Sequence, residues 1–287
     1  MGFDPLGYAI LASVLFGTYL APVKLLRENE RSLLALQAIG LLGVALVLLA
    51  VAPGFLGLPT AWLLLVAGGV WALGNYLSLF AVRALGVTQA VALFAIAGAV
   101  NAAWGIGVFR ELQTGSALVL VAIGTLGVVA GVMIVLGGIP RPDDRRGLAL
   151  ALLTAACFGS YNAPLKLALA PPLTVATGLV LGAAVSSALL ALLPWSGLGA
   201  VEIPKRSRDR LLAAGGGAVW AVGATASVVA IQGLGLSRAF PVFMANVLIY
   251  VALGLGVFHE RYATPRWQMV AGALVVVVSA STIAQAG

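Results

Sequence analysis

Cysteine and histidine each occur once in this 287-residue chain, as Cys157 and His259. A single thiol cannot close an intrachain disulfide, and one thiol with one imidazole cannot complete a four-ligand zinc set, so no metal site is expected. Acidic residues number only nine, and none lies near the centre of an apolar run. Without a concentrated set of His, Asp and Glu side chains, acid–base or metal chemistry has no carriers; neither an enzyme nor a cofactor is expected. A basic region is missing from Met1 to Leu6, and the first apolar run is long enough to span a bilayer. A cleavable signal peptide is therefore not expected, and the first helix is retained. Charge of either sign is sparse as well. Charged residues make up 9% of the chain against 62% hydrophobic ones, a balance outside that of soluble domains.

What remains is long apolar sequence. No charge occurs from Ser32 to Val82, Ala84 to Phe109, Leu112 to Pro140, Leu167 to Val201, Leu211 to Ser237, or from Trp267 to the end. A spanning helix needs roughly 20 apolar residues, so the longest of these runs holds two. Hydropathy and Pro/Gly punctuation predict helices over 6–26, 33–52, 60–84, 87–109, 115–138, 147–169, 173–194, 211–233, 236–258 and 264–284. The formal charge of +7 is dispersed among the turns and not gathered into a stripe, so nucleic acid is not an expected partner. The expected partners are the lipid bilayer, in a multi-pass cell-membrane protein, and a small-molecule solute; the oligomeric state is left open. With the N-terminus outside, thirteen Lys and Arg residues fall on the cytoplasmic side and only Arg110, Lys166 and Arg238 on the other. The positive-inside rule then puts both termini outside.

Self-comparison reveals matched blocks. Phe16 to Lys24, FGTYLAPVK, aligns with Phe158 to Lys166, FGSYNAPLK, at an offset of 142. Val70 to Ser78, VWALGNYLS, aligns with Val219 to Ser227, VWAVGATAS, at 149, and Gly105 to Glu111, GIGVFRE, with Gly254 to Glu260, GLGVFHE, at the same offset. Five helices per copy is an odd number, so the second copy enters the membrane from the opposite side. The fold expected is an all-α integral membrane protein of ten transmembrane helices in two inverted five-helix repeats, 1–140 and 141–287, forming one integrated unit. Such duplication suits alternating access around a midplane site.

On these blocks the chain resembles the drug/metabolite transporter superfamily, whose larger members have ten helices in a five-plus-five inverted repeat. The FG-T/S-Y-x-A-P-x-K block in helices one and six and the GVWALGN block in helix three look most like the glucose/ribose uptake permeases and their transmembrane carbohydrate-transporter relatives. Small multidrug exporters of the superfamily carry a membrane-embedded glutamate in their first helix, whereas Leu6 to Val23 here holds no acid. The resemblance implies a secondary transporter of a small polar solute, a monosaccharide above all. Export of amino acids or related metabolites is the alternative within the superfamily, and a polytopic membrane enzyme the alternative outside it.

Candidate site residues follow from the repeats and from helical spacing. Pro22 and Pro164 each remove a bond to the carbonyl four residues back, at Thr18 and Ser160, predicting broken helices that gate or line a cavity; a harmless kink is the alternative. Trp71, Asn75 and Ser78 share one helix face, which would offer a ring, an amide and a hydroxyl to a sugar; Trp220 and Ser227 repeat it with Ala224 in place of the asparagine. Asn101 with Trp104, and Phe243 with Asn246 and Tyr250, follow the same spacing, as substrate contacts or as interhelical glue. Tyr19, Tyr161 and Asn162 join the substrate-binding set, with Gln89 and Gln232 behind them. Lys24 and Lys166 follow the prolines and either snorkel or gate. Glu111, His259 and Glu260 are candidates for coupling, with helix capping the competing role for the two acids.

Overall fold

The structure is a computed structural model that describes residues 4–26, 28–54, 57–110, 115–137, 145–168, 170–193 and 200–285. Glu111 lies outside the described residues. Among them all regular structure is helical. The first half contains α1 (Pro5–Phe16), α2 (Ala21–Leu25), α3 (Glu30–Val51), α4 (Leu58–Leu85), α5 (Val87–Phe94), α6 (Ala97–Gly107) and α7 (Gly115–Leu136). The second contains α8 (Arg145–Ser160), α9 (Asn162–Leu167), α10 (Pro172–Leu192), α11 (Ser207–Leu234), α12 (Leu236–Phe243), α13 (Asn246–Ala252), a π-helical turn (Leu253–Val257) and α14 (Arg266–Ala284).

Nine described helical stretches are long and apolar enough to cross a membrane. Three of them are composite, α1–α2, α5–α6 and α8–α9. The expected span 236–258 differs: it is divided into α12, α13 and the π turn, and its apolar helical piece runs only from Asn246 to Val257. Large apolar side chains point out of the bundle, such as Ile39, Leu46 and Val47 on α3 and Val119, Ile123 and Leu126 on α7. Water would not tolerate so continuous an apolar surface, and lipid does. The fold is that of a multi-pass helical membrane protein.

Local sequence sets the helix ends. The Asn29 side chain accepts the Ser32 N–H at 2.8 Å and caps α3, an arrangement worth about 1 kcal/mol. Proline opens α1 and α10, where its missing N–H needs no partner. Gly86 and Gly235 separate α4 from α5 and α11 from α12 with φ of 83° and 84°, a backbone region essentially closed to other residues.

Three of the interruptions share a construction. At α1–α2, α5–α6 and α12–α13 short i→i+3 bonds replace the α-helical pattern: Ala21 N–H to Thr18 O at 3.0 Å, Gly98 to Ala95 at 3.0 Å, Val247 to Met244 at 3.1 Å; at α8–α9 the Tyr161 N–H keeps an i→i+4 bond to Cys157 O at 3.0 Å. The Thr18 carbonyl freed by Pro22 thus finds the Ala21 N–H instead. Packing between the two halves is reciprocal. α3 lies against α10, α7 against α14, α4 against α8 and α1 against α11. Glycines permit the closest approaches: a Cβ on Gly131 would meet the Gly272 carbonyl at 2.7 Å, and one on Gly272 would meet that of Gly131 at the same distance.

Candidate functional site: an aromatic cavity where four helix interruptions meet

A narrow cavity lies between the halves. All four interruptions reach it, through Phe16, Tyr19 and Leu20 at α1–α2, Phe94, Ala95 and Ala97 at α5–α6, Phe158 and Tyr161 at α8–α9, and Phe243, Met244, Asn246 and Tyr250 at α12–α13. Trp71 from α4 and Trp220 from α11 complete it with Val91. Irregular backbone at membrane depth persists where it is sheltered in protein or borders a cavity, so the breaks and the cavity account for each other.

The aromatic side chains are arranged in matched pairs. Trp71 and Trp220, 149 residues apart, stack with ring centroids 3.6 Å apart and planes inclined by 25°. Phe16 meets Phe243 edge-to-face at 5.9 Å and 88°; their matched residues Phe158 and Phe94 do the same at 5.8 Å and 84°. The Tyr19 hydroxyl interacts with Ser78 and the Tyr161 hydroxyl with Ser227, while each serine donates to its own helix, at 2.7 Å to Asn75 O and 2.8 Å to Ala224 O. Asymmetry enters elsewhere: the Leu20 N–H donates to the Tyr250 hydroxyl at 3.2 Å. Among the described residues no Lys, Arg, Asp, Glu or His lines the cavity.

Of the twelve residues expected to bind solute, Tyr19, Trp71, Tyr161, Trp220, Asn246 and Tyr250 line this cavity. The others stand behind it. Asn75 donates to Gln37 Oε1 of α3 at 2.8 Å, Trp104 Nε1 donates to Ser160 Oγ at 3.1 Å, and Ser78 and Ser227 support the tyrosines. Asn101 and Asn162 are buried with no hydrogen-bond partner on either amide atom. The face expected of Trp71, Asn75 and Ser78 is therefore split, since the helix turns its amide toward α3 and its indole toward the cavity. Phe16, Phe94 and Phe158 were not among the candidates. Their signal was present, because each has its repeat-matched partner at the same offset as the polar residues.

At one end of the bundle a second constellation forms around Glu260. Its carboxylate pairs with Lys24 Nζ at 2.7 Å, accepts the Val87 N–H at 2.8 Å, the Thr88 N–H at 3.2 Å and the Thr88 hydroxyl at 3.1 Å, and is bonded by the Tyr262 hydroxyl. Burial alone would raise its pKa. The bonds from Lys24, Tyr262 and Val87, with the Lys24 charge, outweigh that and hold the carboxyl below its ordinary value. The Tyr262 hydroxyl is pushed up, by burial first and then by the carboxylate beside it. His259 is exposed, with φ of 50°, and Arg110 at the matched position has φ of 52°. Arg83 pairs with Glu30 at 3.2 Å near the same end.

The matched Lys166 is placed differently, 5.2 Å above the Phe109 ring. It borders a wider cavity with Gln232 and Gly235. Pro22 is buried beside Lys24, and Pro164 is half-buried beside Lys166.

No protein-family description matches the chain, and no curated protein does. A solved crystal structure of a protein is similar in fold, at TM-score 0.62 and 17% identity, over 98% of this chain and 98% of its own. That likeness concerns the fold alone.

Proposed function

We propose that the protein is a secondary transporter that moves a small uncharged polar solute, a monosaccharide, across the cell membrane by alternating access. The observation that carries this reading is the cavity at which all four helix interruptions converge. Binding sites of secondary transporters are built from discontinuous helices where two halves meet. The reciprocal contacts support two inverted repeats, because residue i of one half meets residue j of the other while their counterparts meet in the same geometry. The charged end formed by Lys24, Glu30, Arg83 and Glu260 supports a cytoplasmic assignment for that end and an outward one for both termini.

The lining favours a neutral solute. Aromatic faces stack on the C–H face of a pyranose, and the Tyr19 and Tyr161 hydroxyls and the Asn246 amide can exchange hydrogen bonds with its hydroxyls. A zwitterionic amino acid would have to leave both charges without a counter-charge in this lining. In this state Lys24 and Glu260 close the cytoplasmic end, and Pro22 and Pro164 help to break the helices that move. The deciding experiment is counterflow in proteoliposomes with parallel panels of monosaccharides and amino acids. Exchange of at least one monosaccharide is expected; exchange of amino acids alone would replace this reading with that of an amino-acid exporter.

A further inference from the structure

The cavity is paired almost throughout, so the place where pairing fails is informative. Leu20 and Tyr250 touch through a backbone-to-hydroxyl bond of 3.2 Å. At offsets of 142 and 149 their counterparts are Asn162 and Asn101. An aliphatic side chain and an aromatic one in one half are thus replaced by two amides in the other.

Position supports the correspondence. Asn162 follows Tyr161, which lines the cavity, and Asn101 lies one helical turn beyond Ala97, which also lines it. α6 and the α8–α9 segment touch on both sides of these residues. A Cβ on Gly159 would strike Val100 and the Ala97 carbonyl, Trp104 is bonded to Ser160, and Lys166 covers Phe109. Asn101 falls between the first two contacts on its helix and Asn162 between the last two on its own.

Both amides are buried, at 1% and 0% exposure, and none of their four nitrogen and oxygen atoms has a hydrogen-bond partner. Asn162 interacts electrostatically with the Tyr161 hydroxyl, yet outside bonding geometry. Buried amides ordinarily find partners, and two failures in a membrane interior are costly to keep. At the counterpart positions the Leu20 backbone N–H is bonded to the Tyr250 hydroxyl and no side-chain amide is present, so the fold does not require this cost there.

We infer that Asn101 and Asn162 form a polar subsite beside the aromatic cavity that takes two neighbouring hydroxyls of an uncharged polyol. Each amide donates through its nitrogen and accepts through its oxygen, while a hydroxyl donates once and accepts twice. Two amides therefore match a vicinal diol from both ends. A carboxylate would satisfy the nitrogens and set both amide oxygens against its charge, and an ammonium group would do the reverse. This inference rests on the transport reading and sharpens it: aromatic rings hold the body of the solute, and the amide pair selects the arrangement of its hydroxyls.

The test uses full-length protein with D-glucose and its 2-, 3- and 4-deoxy analogues as probes. Affinity is read from tryptophan fluorescence, exchange from counterflow, and stability from the melting temperature without ligand. Asn101→Leu and Asn162→Leu are each expected to weaken D-glucose binding about tenfold, the factor that one lost hydrogen bond of ~1.4 kcal/mol corresponds to. Wild-type protein should lose a similar factor on one of the deoxy analogues, and the variants should lose little more on that same analogue. Ligand-free melting temperatures should stay level or rise, because the leucines remove unpartnered groups. Asn101→Ser and Asn162→Ser serve where the leucine variants do not fold. Unchanged affinity in the variants, or a lowered melting temperature with equal losses on every analogue, overturns the subsite while leaving transport standing. Absence of sugar exchange by wild-type protein overturns the transport reading and the subsite with it.

Discussion

Lys24 and Lys166 occupy the same place in two copies of one sequence block, yet the structure treats them differently. Lys24 is drawn into a buried cluster with Glu260, whose carboxylate collects donors from the α1–α2 end, from the start of α5 and from Tyr262. Lys166 lies over an aromatic ring at the edge of a large cavity. Their flanking glycines repeat the contrast. A Cβ on Gly86 would collide with Tyr262 and Glu260, whereas Gly235, with the same backbone angle, borders the cavity beside Lys166. One copy of the block thus ends in an ion pair and the other beside a cavity, an asymmetry that the transport reading assigns to one of two alternating states.

The comparison can be broken most strongly at Glu260. Glu260→Gln removes the charge while Lys24 stays, so the pair is broken from its buried side. In a Cys157→Ser background carrying Val91→Cys, labelling from the Lys24 end by an impermeant thiol reagent should rise at least tenfold; unchanged labelling would mean that this contact does not close the cavity. Exchanging the pair, Lys24→Glu with Glu260→Lys, should not restore closure, because the Val87 and Thr88 N–H groups need an acceptor at position 260.

Glycine substitutions come next. Gly86→Ala and Gly235→Ala both meet backbone strain of about 1–3 kcal/mol. At Gly86 the added Cβ also collides with Tyr262 and Glu260, so the melting temperature of Gly86→Ala should fall by more than backbone strain alone accounts for. Equal losses would mean that the packing at Gly86 adds nothing.

Lys166→Gln should have a smaller effect, because a partly exposed cation over a ring contributes about 0.5–1 kcal/mol. Thermal unfolding should register a small shift there and a larger one for Lys24→Gln. The smallest response is expected from pH. A carboxyl whose folded pKa lies below its unfolded value lends stability that is fully present above the ordinary carboxylate range and is lost as pH falls through the folded value. Thiol labelling at Val91→Cys, normalised at each pH to that of a free thiol to remove the loss of thiolate, should therefore be flat from pH 7 to pH 5 and rise only below the ordinary carboxylate range; a rise between 7 and 5 would assign the closure to another group.

Much of the scaffold could be read in advance because lipid imposes a one-dimensional rule: a span must be apolar for about twenty residues. The duplication could be read because blocks such as FGTYLAPVK and FGSYNAPLK kept their residue types. The site was only half legible. Trp71 and Asn75 share a helix face by spacing, but a face of that width meets two neighbours, and only packing directed the amide to Gln37 and the indole to the cavity. Phe16, Phe94 and Phe158 were not legible because apolar rings carry no mark against an apolar background.

Composition and hydropathy by themselves determined that this chain is helical and membrane-borne, and self-comparison that it carries matched blocks, since these properties depend on the solvent and on local order along the chain. Tertiary structure alone decided that the four interruptions meet at one cavity, that Glu260 reaches Lys24 across more than two hundred residues, and that Asn101 and Asn162 are left unpaired where Leu20 and Tyr250 are joined. Those outcomes depend on which faces of distant helices come together, and distance along the chain carries no record of it.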